Sequence, residues 1–161
     1  MKKTLLFISF FVILFSACEK DDFCVQNPVT PQLVLSFYNN TNRETLKSAQ
    51  RLSVWAEGKD TLETYISQRK DSIFIPLNTL ATQTIYHLKI NNIDGKKVNN
   101  KIATLTINYT PQEEYVSRSC GYKVIFNDVS FSTDNSWILD FTPTTLTTID
   151  NQDEAHVQIF H

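Results

Sequence analysis

The sequence predicts an all-β protein folded as a single sandwich, and three observations carry that prediction. Short apolar–polar alternations recur every 8 to 14 residues or so, with Asn, Asp, Gly and Pro clusters between them. Threonine, isoleucine, valine and aromatic residues are plentiful while glycine is scarce, a mixture that suits pleated, half-buried surfaces. Beyond residue 22, no apolar stripe at helical spacing is long enough to stand as an independent helix. Counted this way, the chain holds about eight to ten short antiparallel strands, the pattern of an immunoglobulin-like or related sandwich.

The elements follow in order. Pro28 and Pro31 keep the stretch before residue 32 out of helix. Leu33, Leu35 and Phe37 alternate with Val34, Ser36 and Tyr38 as a half-buried first strand, closed by the Asn39–Asn42 cluster. Residues 44–50 read as loop. Leu52–Ala56 is a strand, Glu57-Gly58-Lys59-Asp60 a hairpin turn, and Thr61–Ile66 its returning partner. Residues 67–71 turn into a strand at Ser72–Ile75, which Pro76 ends or marks as a sheet edge. Thr84–Ile90 places Tyr86, Leu88 and Ile90 on one face, with His87 and Lys89 solvated on the other. Asp94-Gly95 is a type I′ hairpin signal, and the return strand turns Ala103, Leu105, Ile107 and Tyr109 inward until Thr110-Pro111-Gln112 breaks it. Tyr115–Phe131 is the densest apolar stretch of the domain and predicts a central strand buried on both faces, reached through Cys120-Gly121. Trp137, Leu139 and Phe141 form an alternating strand after an Asp134-Asn135 turn; Leu146–Ile149 and Ala155–Phe160 are the last two.

The first 22 residues have a different character. Lys2 and Lys3 lead into an apolar run from Leu5 to Phe15, interrupted only by Ser9. As a helix this run reaches roughly 16 Å, half a bilayer core, so it fits the apolar region of a secretory signal and not a permanent span. It closes on Ser16-Ala17-Cys18, small residues that open the bond before the cysteine to a peptidase. Leu14-Phe15-Ser16-Ala17-Cys18 resembles the lipobox of bacterial lipoproteins, with Phe15 where leucine is usual. The resemblance implies cleavage before Cys18, acylation of that cysteine and anchorage by two or three acyl chains. The alternative is an ordinary secretory signal cut nearby, with Cys18 an incidental thiol. Residues 1–17 are thus a signal peptide, 18–31 a lipidated tether and 32–161 the β domain. Lys20, Asp21 and Asp22 resemble the export signal that sends Bacteroidota lipoproteins to the cell surface, so the expected address is the outer membrane, facing outward. The alternatives there are a merely solvated tether and the periplasmic leaflet.

Cysteine arithmetic follows from that reading. Lipidation consumes Cys18, leaving Cys24 and Cys120 to bridge in an oxidising compartment and close a loop of about a hundred residues. The rival reading makes Cys120 a nucleophile, although no residue near it in sequence argues for that chemistry. Cys24, Pro31-Gln32-Leu33, Phe37-Tyr38 and the run Tyr115–Lys123 around Cys120 together resemble a family of short Bacteroidota lipoproteins that has no assigned activity. The likeness covers nearly the whole mature chain; it implies the lipoprotein address and the bridge, and transfers no functional site.

Chemistry is sparse in the rest of the sequence. The formal charge is −2 and becomes more acidic once Lys2 and Lys3 leave, and the scattered lysines make no nucleic-acid footprint. His87, His156 and His161 lack metal-ligand spacing, and no phosphate-cradling loop, nucleophile elbow or Cys-x-x-Cys is present, so neither metal nor cofactor is expected. Asp134, Asp140, Asp150, Asp153 and Glu154 lie in turns, without a calcium-loop pattern. Trp55, outward if Leu52 and Val54 face the core, pairs with Tyr65 of the expected return strand as an aromatic platform for a sugar or peptide; the plainer reading packs it under a loop. Asp60-Thr61-Leu62 and Asp71-Ser72-Ile73 resemble Bacteroidota O-glycosylation acceptors at Thr61 and Ser72, a pattern loose enough to arise by chance. The first expectation is a non-catalytic binding or accessory module of an envelope assembly, whose partners are the membrane and another envelope protein or a glycan. A structural or adhesive, pilin-like protein is the second expectation. An enzyme whose site does not appear in sequence is the third.

Overall fold

Among the described residues, ten strands form two sheets whose inward side chains meet in one core. The computed structural model describes Cys24 and residues 30–134 and 136–161. The signal segment 1–17, Cys18, Lys20, Asp21, Asp22, Pro28 and Asn135 lie outside the described residues. In chain order the strands are β1 (Leu33–Tyr38), β2 (Ala49–Ala56), β3 (Gln68–Lys70), β4 (Ser72–Ile75), β5 (Gln83–Ile90), β6 (Lys101–Ser117), β7 (Gly121–Thr133), β8 (Asp140–Thr142), β9 (Thr145–Ile149) and β10 (Val157–Phe160). One sheet has the order β4-β1-β10-β8, the other β3-β2-β5-β6-β7-β9. Among the described residues there is no α-helix, only 3-10 turns at Glu63–Tyr65 and Lys97–Asn99. The protein is therefore an all-β sandwich, as the sequence predicts.

Strand phase explains how the core is filled. β5 and the first half of β6 alternate without interruption and bury Tyr86, Leu88, Ile90, Ala103, Leu105, Ile107 and Tyr109. In β2 and β7 the buried residues change step. Ala49 and Leu52 are both fully buried although three apart, because the register against β3 slips there and Arg51 takes a positive φ of 50°. Phe126 and Val129 repeat the device: the β6–β7 register slips between Asn108 and Thr110, and Asp128 sits at φ 51°. Each bulge adds one residue and returns the next apolar side chain to the core face.

The structure corrects several expectations. β1 is not half-buried. Every residue from Leu33 to Phe37 is buried, Val34 and Ser36 on the alternate face included, and the strand lies inside its sheet between β4 and β10. Its pairing with β10 is parallel (Leu35 with Val157, Phe37 with Ile159), so the strands are not uniformly antiparallel. Nor are they uniformly short: β6 runs 17 residues and β7 13. Thr110-Pro111-Gln112 does not end β6. Beyond Asn108 the strand has lost β5 as a neighbour, and Pro111 pairs only with Phe126 of β7, where one side of the strand is free for a residue that cannot donate. β7 is not buried on both faces, since Tyr122 lies in its exposed first part and β9 alone lies beyond it.

Thr61–Ile66 is not a return strand. A single bridge from Trp55 to Thr61 gives way to the 3-10 turn, which drops Leu62 and Tyr65 toward the core at a three-residue spacing. The edge strand β3 then forms inside the expected 67–71 turn. Asp94-Gly95 is no two-residue hairpin; β5 and β6 are joined by residues 91–100. In the Trp137–Phe141 stretch only Asp140 and Phe141 enter a strand, while Trp137 is buried with its indole N–H on the Leu88 carbonyl at 2.8 Å and Leu139 is exposed.

Two histidines hold the four-stranded sheet to its surroundings. His156 accepts the Val34 N–H at Nδ1 (2.9 Å), and its own N–H bonds the Val34 carbonyl. His161 is buried against Phe37 and Trp137, with Nε2 donating to the Lys47 carbonyl (3.0 Å). Burial lowers both imidazoles below their ordinary 6.5, the neighbouring Lys47 charge adding to the effect at His161. The unfolded chain therefore takes up these protons first, and stability is complete above about pH 6.5 and falls as the pH drops below it. The carboxylate of Asp140, held down by hydrogen bonds from Arg43 and the Phe141 N–H, gives way only at lower pH, below its ordinary 3.8. Urea midpoints measured from pH 7.5 to 5 should decline, and His156→Gln, whose amide oxygen can still accept from Val34, should flatten that decline. An unaltered slope in the variant would remove His156 from the account.

Candidate functional site

Cys24 and Cys120 are joined in a disulfide, with Cα atoms 4.7 Å apart across 96 positions of sequence. Cys120 ends the turn between β6 and β7, so the bridge fastens the incoming chain to the tip of the longest hairpin. Ser117 Oγ accepts the Cys120 N–H (3.0 Å), and Gly121 takes φ 70°, a conformation that favours glycine. Just before β1, Thr30 lies against β7, its Oγ1 accepting the Val124 N–H at 3.1 Å. Behind the tip, Tyr115 and Tyr122 face each other across the ladder with ring centroids 5.4 Å apart, 57% and 65% exposed.

The opposite end of β6 carries the 91–100 loop, on the order of 50 Å away along a 17-residue strand. Buried Asn91 organises this loop. Its side-chain oxygen accepts the N–H groups of Ile93, Asp94 and Gly95, and its amide donates to the Lys96 carbonyl and to Asn100 Oδ1. Arg51 reaches over from the β2 bulge, bonding the Asn91 carbonyl and passing within 3.1 Å of where a Cβ on Gly95 would stand. Hydrogen bonds to Asp94 from Asn99 and from the Lys96 N–H hold its carboxyl below the usual range. The loop is thus fixed by polar contacts underneath while Ile93 and Val98 stand 69% and 85% exposed.

A third cluster lies on the outer face of the six-stranded sheet. Trp55 and His87, paired across β2 and β5, overlap with centroids 5.3 Å apart. The imidazole Nε2 pairs with Glu57, and Nδ1 lies 3.4 Å from Thr104 Oγ1. His87 is therefore stacked on Trp55 and hydrogen-bonded to Glu57 where the sequence suggested a freely solvated side chain. Hydroxyl, imidazole and carboxylate stand in the order of a nucleophile relay, but the hydroxyl contact is longer than a working proton-transfer bond and lies on an open sheet face. The arrangement suits stacking against a ligand better than covalent chemistry.

The other sequence candidates are dispersed. Tyr65 is buried with its phenol bonded to both the N–H and the carbonyl of Phe74, so no platform with Trp55 forms. Thr61 and Ser72 are each half-buried, and Ser72 accepts from Ser36 Oγ inside the β1–β4 ladder, which leaves its hydroxyl poorly placed as an acceptor. Asp140 pairs with Arg43 at 2.7 Å and Asp134 caps the Thr104 N–H, and among the described residues no three His, Cys, Asp or Glu side chains gather as a metal site. A groove of about 480 Å³ runs between Pro76–Asn78 and β5, its walls formed by Glu57, Lys59, Leu77 and Gln83. At its margin Tyr86 donates to the Pro76 carbonyl and Tyr109 to the Asn78 carbonyl, and burial raises both phenols above their ordinary 10. Sequence reasoning missed the Trp55–His87 stack, which depends on cross-strand register, and the 91–100 loop, whose only signal was two consecutive asparagines before Asp94-Gly95.

Residues 51–161 match a family model described as a family of unknown function (DUF6452). The match begins inside β2, so β1 lies ahead of it. No curated protein and no solved structure matches the chain.

The bridge has a measurable consequence. Closing a loop of 96 positions restricts the unfolded chain, so Cys24→Ser or Cys120→Ser should each cost about 2–5 kcal/mol in urea unfolding. The double variant should be little worse than either, since one bond is lost in every case. Additive losses would mean that the two cysteines stabilise the fold separately.

Proposed function

We propose that this chain, which belongs to this family of unknown function, is a lipid-anchored, non-catalytic binding module of the outer-membrane surface, held at Cys18 and exported through Lys20-Asp21-Asp22 in the manner of Bacteroidota lipoproteins. The observation that supports it best is the opposition of its two ends. The chain enters and is covalently stapled at one pole, while an ordered loop with bare Ile93 and Val98 stands at the other. A module held at a membrane needs its recognition surface away from the anchor, and a loop that is rigid before contact keeps the ordering cost of binding low. The apolar character of Ile93 and Val98 favours another envelope protein as partner, while the Trp55–His87 stack would favour a glycan.

Three experiments test this reading. Cys18→Ala should release the protein from the membrane fraction or leave an uncleaved precursor, and retention of a normally processed variant would defeat the anchor. Protease added to intact cells should digest the domain, and alanine at Lys20, Asp21 and Asp22 should protect it; shielding of the unaltered protein in whole but not lysed cells would assign the periplasmic leaflet instead. For the recognition end, a partner cross-linked and co-purified from detergent-solubilised envelope should be lost with Ile93→Ser/Val98→Ser and kept with Trp55→Ala. The reverse pattern would move recognition to the sheet face.

A further inference from the structure

We infer that the tip of the β6–β7 hairpin is a lipid-contacting surface, with Tyr115 and Tyr122 seated in the headgroup layer of the membrane that carries the anchor; the inference rests on the reading of Cys18 as lipidated. The first observation is phase. Tyr122 alternates with Val124 and Phe126 along β7, and Phe126 is fully buried while Val124 packs against the core. The tyrosines therefore continue the core-facing side of the hairpin, past the point where the opposing sheet covers it. Two rings left bare on an inward face form an apolar patch that a soluble sandwich would ordinarily cover or replace with charge.

The second observation is reach. Cys24 lies six positions beyond Cys18, a span of roughly 20 Å at full extension, and it is bonded directly to the turn that follows Tyr115, Val116 and Ser117. An acylated Cys18 thus keeps the tip, and not some other part of the domain, against the lipid surface. Tyrosine suits that position because its ring is apolar and its hydroxyl polar, which is why such rings collect at membrane–water boundaries. The charges nearby fit a mixed headgroup layer: Lys123 pairs with Glu114 at 3.7 Å, Glu113 lies on the side of Tyr115, and Arg118 is exposed in the turn. Lipid is favoured over a protein occupant because the short leash fixes lipid beside this patch whatever else is present.

The test uses the full lipidated chain with Tyr122→Trp, reconstituted into vesicles of phosphatidylethanolamine and phosphatidylglycerol, with and without bromine on the acyl chains. Trp137 is buried and Trp55 lies against His87 on the outer sheet face, so the unaltered protein supplies the reference. The indole at position 122 should add a quenching of up to about a third of total emission, the share of one indole in three. Replacing both Cys24 and Cys120 by serine in that variant should reduce the quenching, because among the described residues the next contact with the hairpin is at Thr30, about twelve residues or roughly 40 Å from the anchor. Vesicle flotation of the same samples separates the two readings. A protein that floats with an unquenched indole overturns the lipid contact, keeps the anchor, and leaves the tyrosines to a second copy or a protein neighbour. A protein that does not float overturns both.

Discussion

The parallel pairing of β1 with β10 is the constraint on which the rest of the sandwich depends. These are the two inner strands of the four-stranded sheet; β4 holds only to β1 and β8 only to β10. Remove the pair and that half of the core has no backbone to carry it. The partners are separated by some 120 positions, so the pairing must meet a large loop-closure cost before it returns anything. The surrounding bonds are concentrated there accordingly. His156 grips Val34 through both backbone and ring, the His161 N–H reaches the Tyr38 carbonyl, and Lys47 Nζ donates to the His161 carbonyl at 2.6 Å. Phe37, Trp137 and His161 then close in mutual ring contact, and Arg43 lies over the Phe160 ring while paired with Asp140.

What the sequence disclosed of this fold was whatever a period of two can express. β5 and the first half of β6 were legible because nothing interrupts their alternation, and the count of ten strands fell within the expected range. The losses have definite causes. At Arg51 and Asp128 an extra residue restores the core face, and alternation counted through them fails. At Pro111 a breaker is tolerated because one neighbour has already ended. At Leu62 and Tyr65 a three-residue spacing replaced the strand period. The inner position of β1 depends on β10, which arrives at the far end of the chain, and no local window contains it.

The candidate site divides in the same way. The Cys24–Cys120 bridge could be read by elimination, because cysteine chemistry is conserved in number whatever the fold. The aromatic platform could not. Trp55 does point outward, but the residue beside it is decided by register with β5, which supplies His87, while Tyr65 turns into the core to hold Phe74. The organising role of Asn91 is also non-local in character, since an asparagine side chain that satisfies three successive N–H groups does so only after the chain has curled around it. Ile93 and Val98 would count as buried on any hydropathy argument, yet they are bare in a loop whose polar groups gather on Asn91.

The bridge also decides how a tethered domain bears load. In the anchored state proposed for this protein, force on the tether would otherwise enter through Thr30 and Pro31 and reach β1 directly, the central strand whose loss dismantles its sheet. The disulfide intercepts that path at Cys24 and passes it to Cys120, at the tip of a hairpin. There the load would run lengthwise along β6 and β7, whose pairing extends from Ser117–Gly121 to Leu105–Thr133 with register slips at Tyr115/Ser117 and Asn108/Thr110, so that the unslipped run from Thr110–Asn127 to Tyr115–Tyr122 would resist in shear. In that anchored state, a covalent link that looks redundant beside a packed core would have a distinct mechanical role: it would separate a strand that is indispensable to the fold from the point at which the tether pulls.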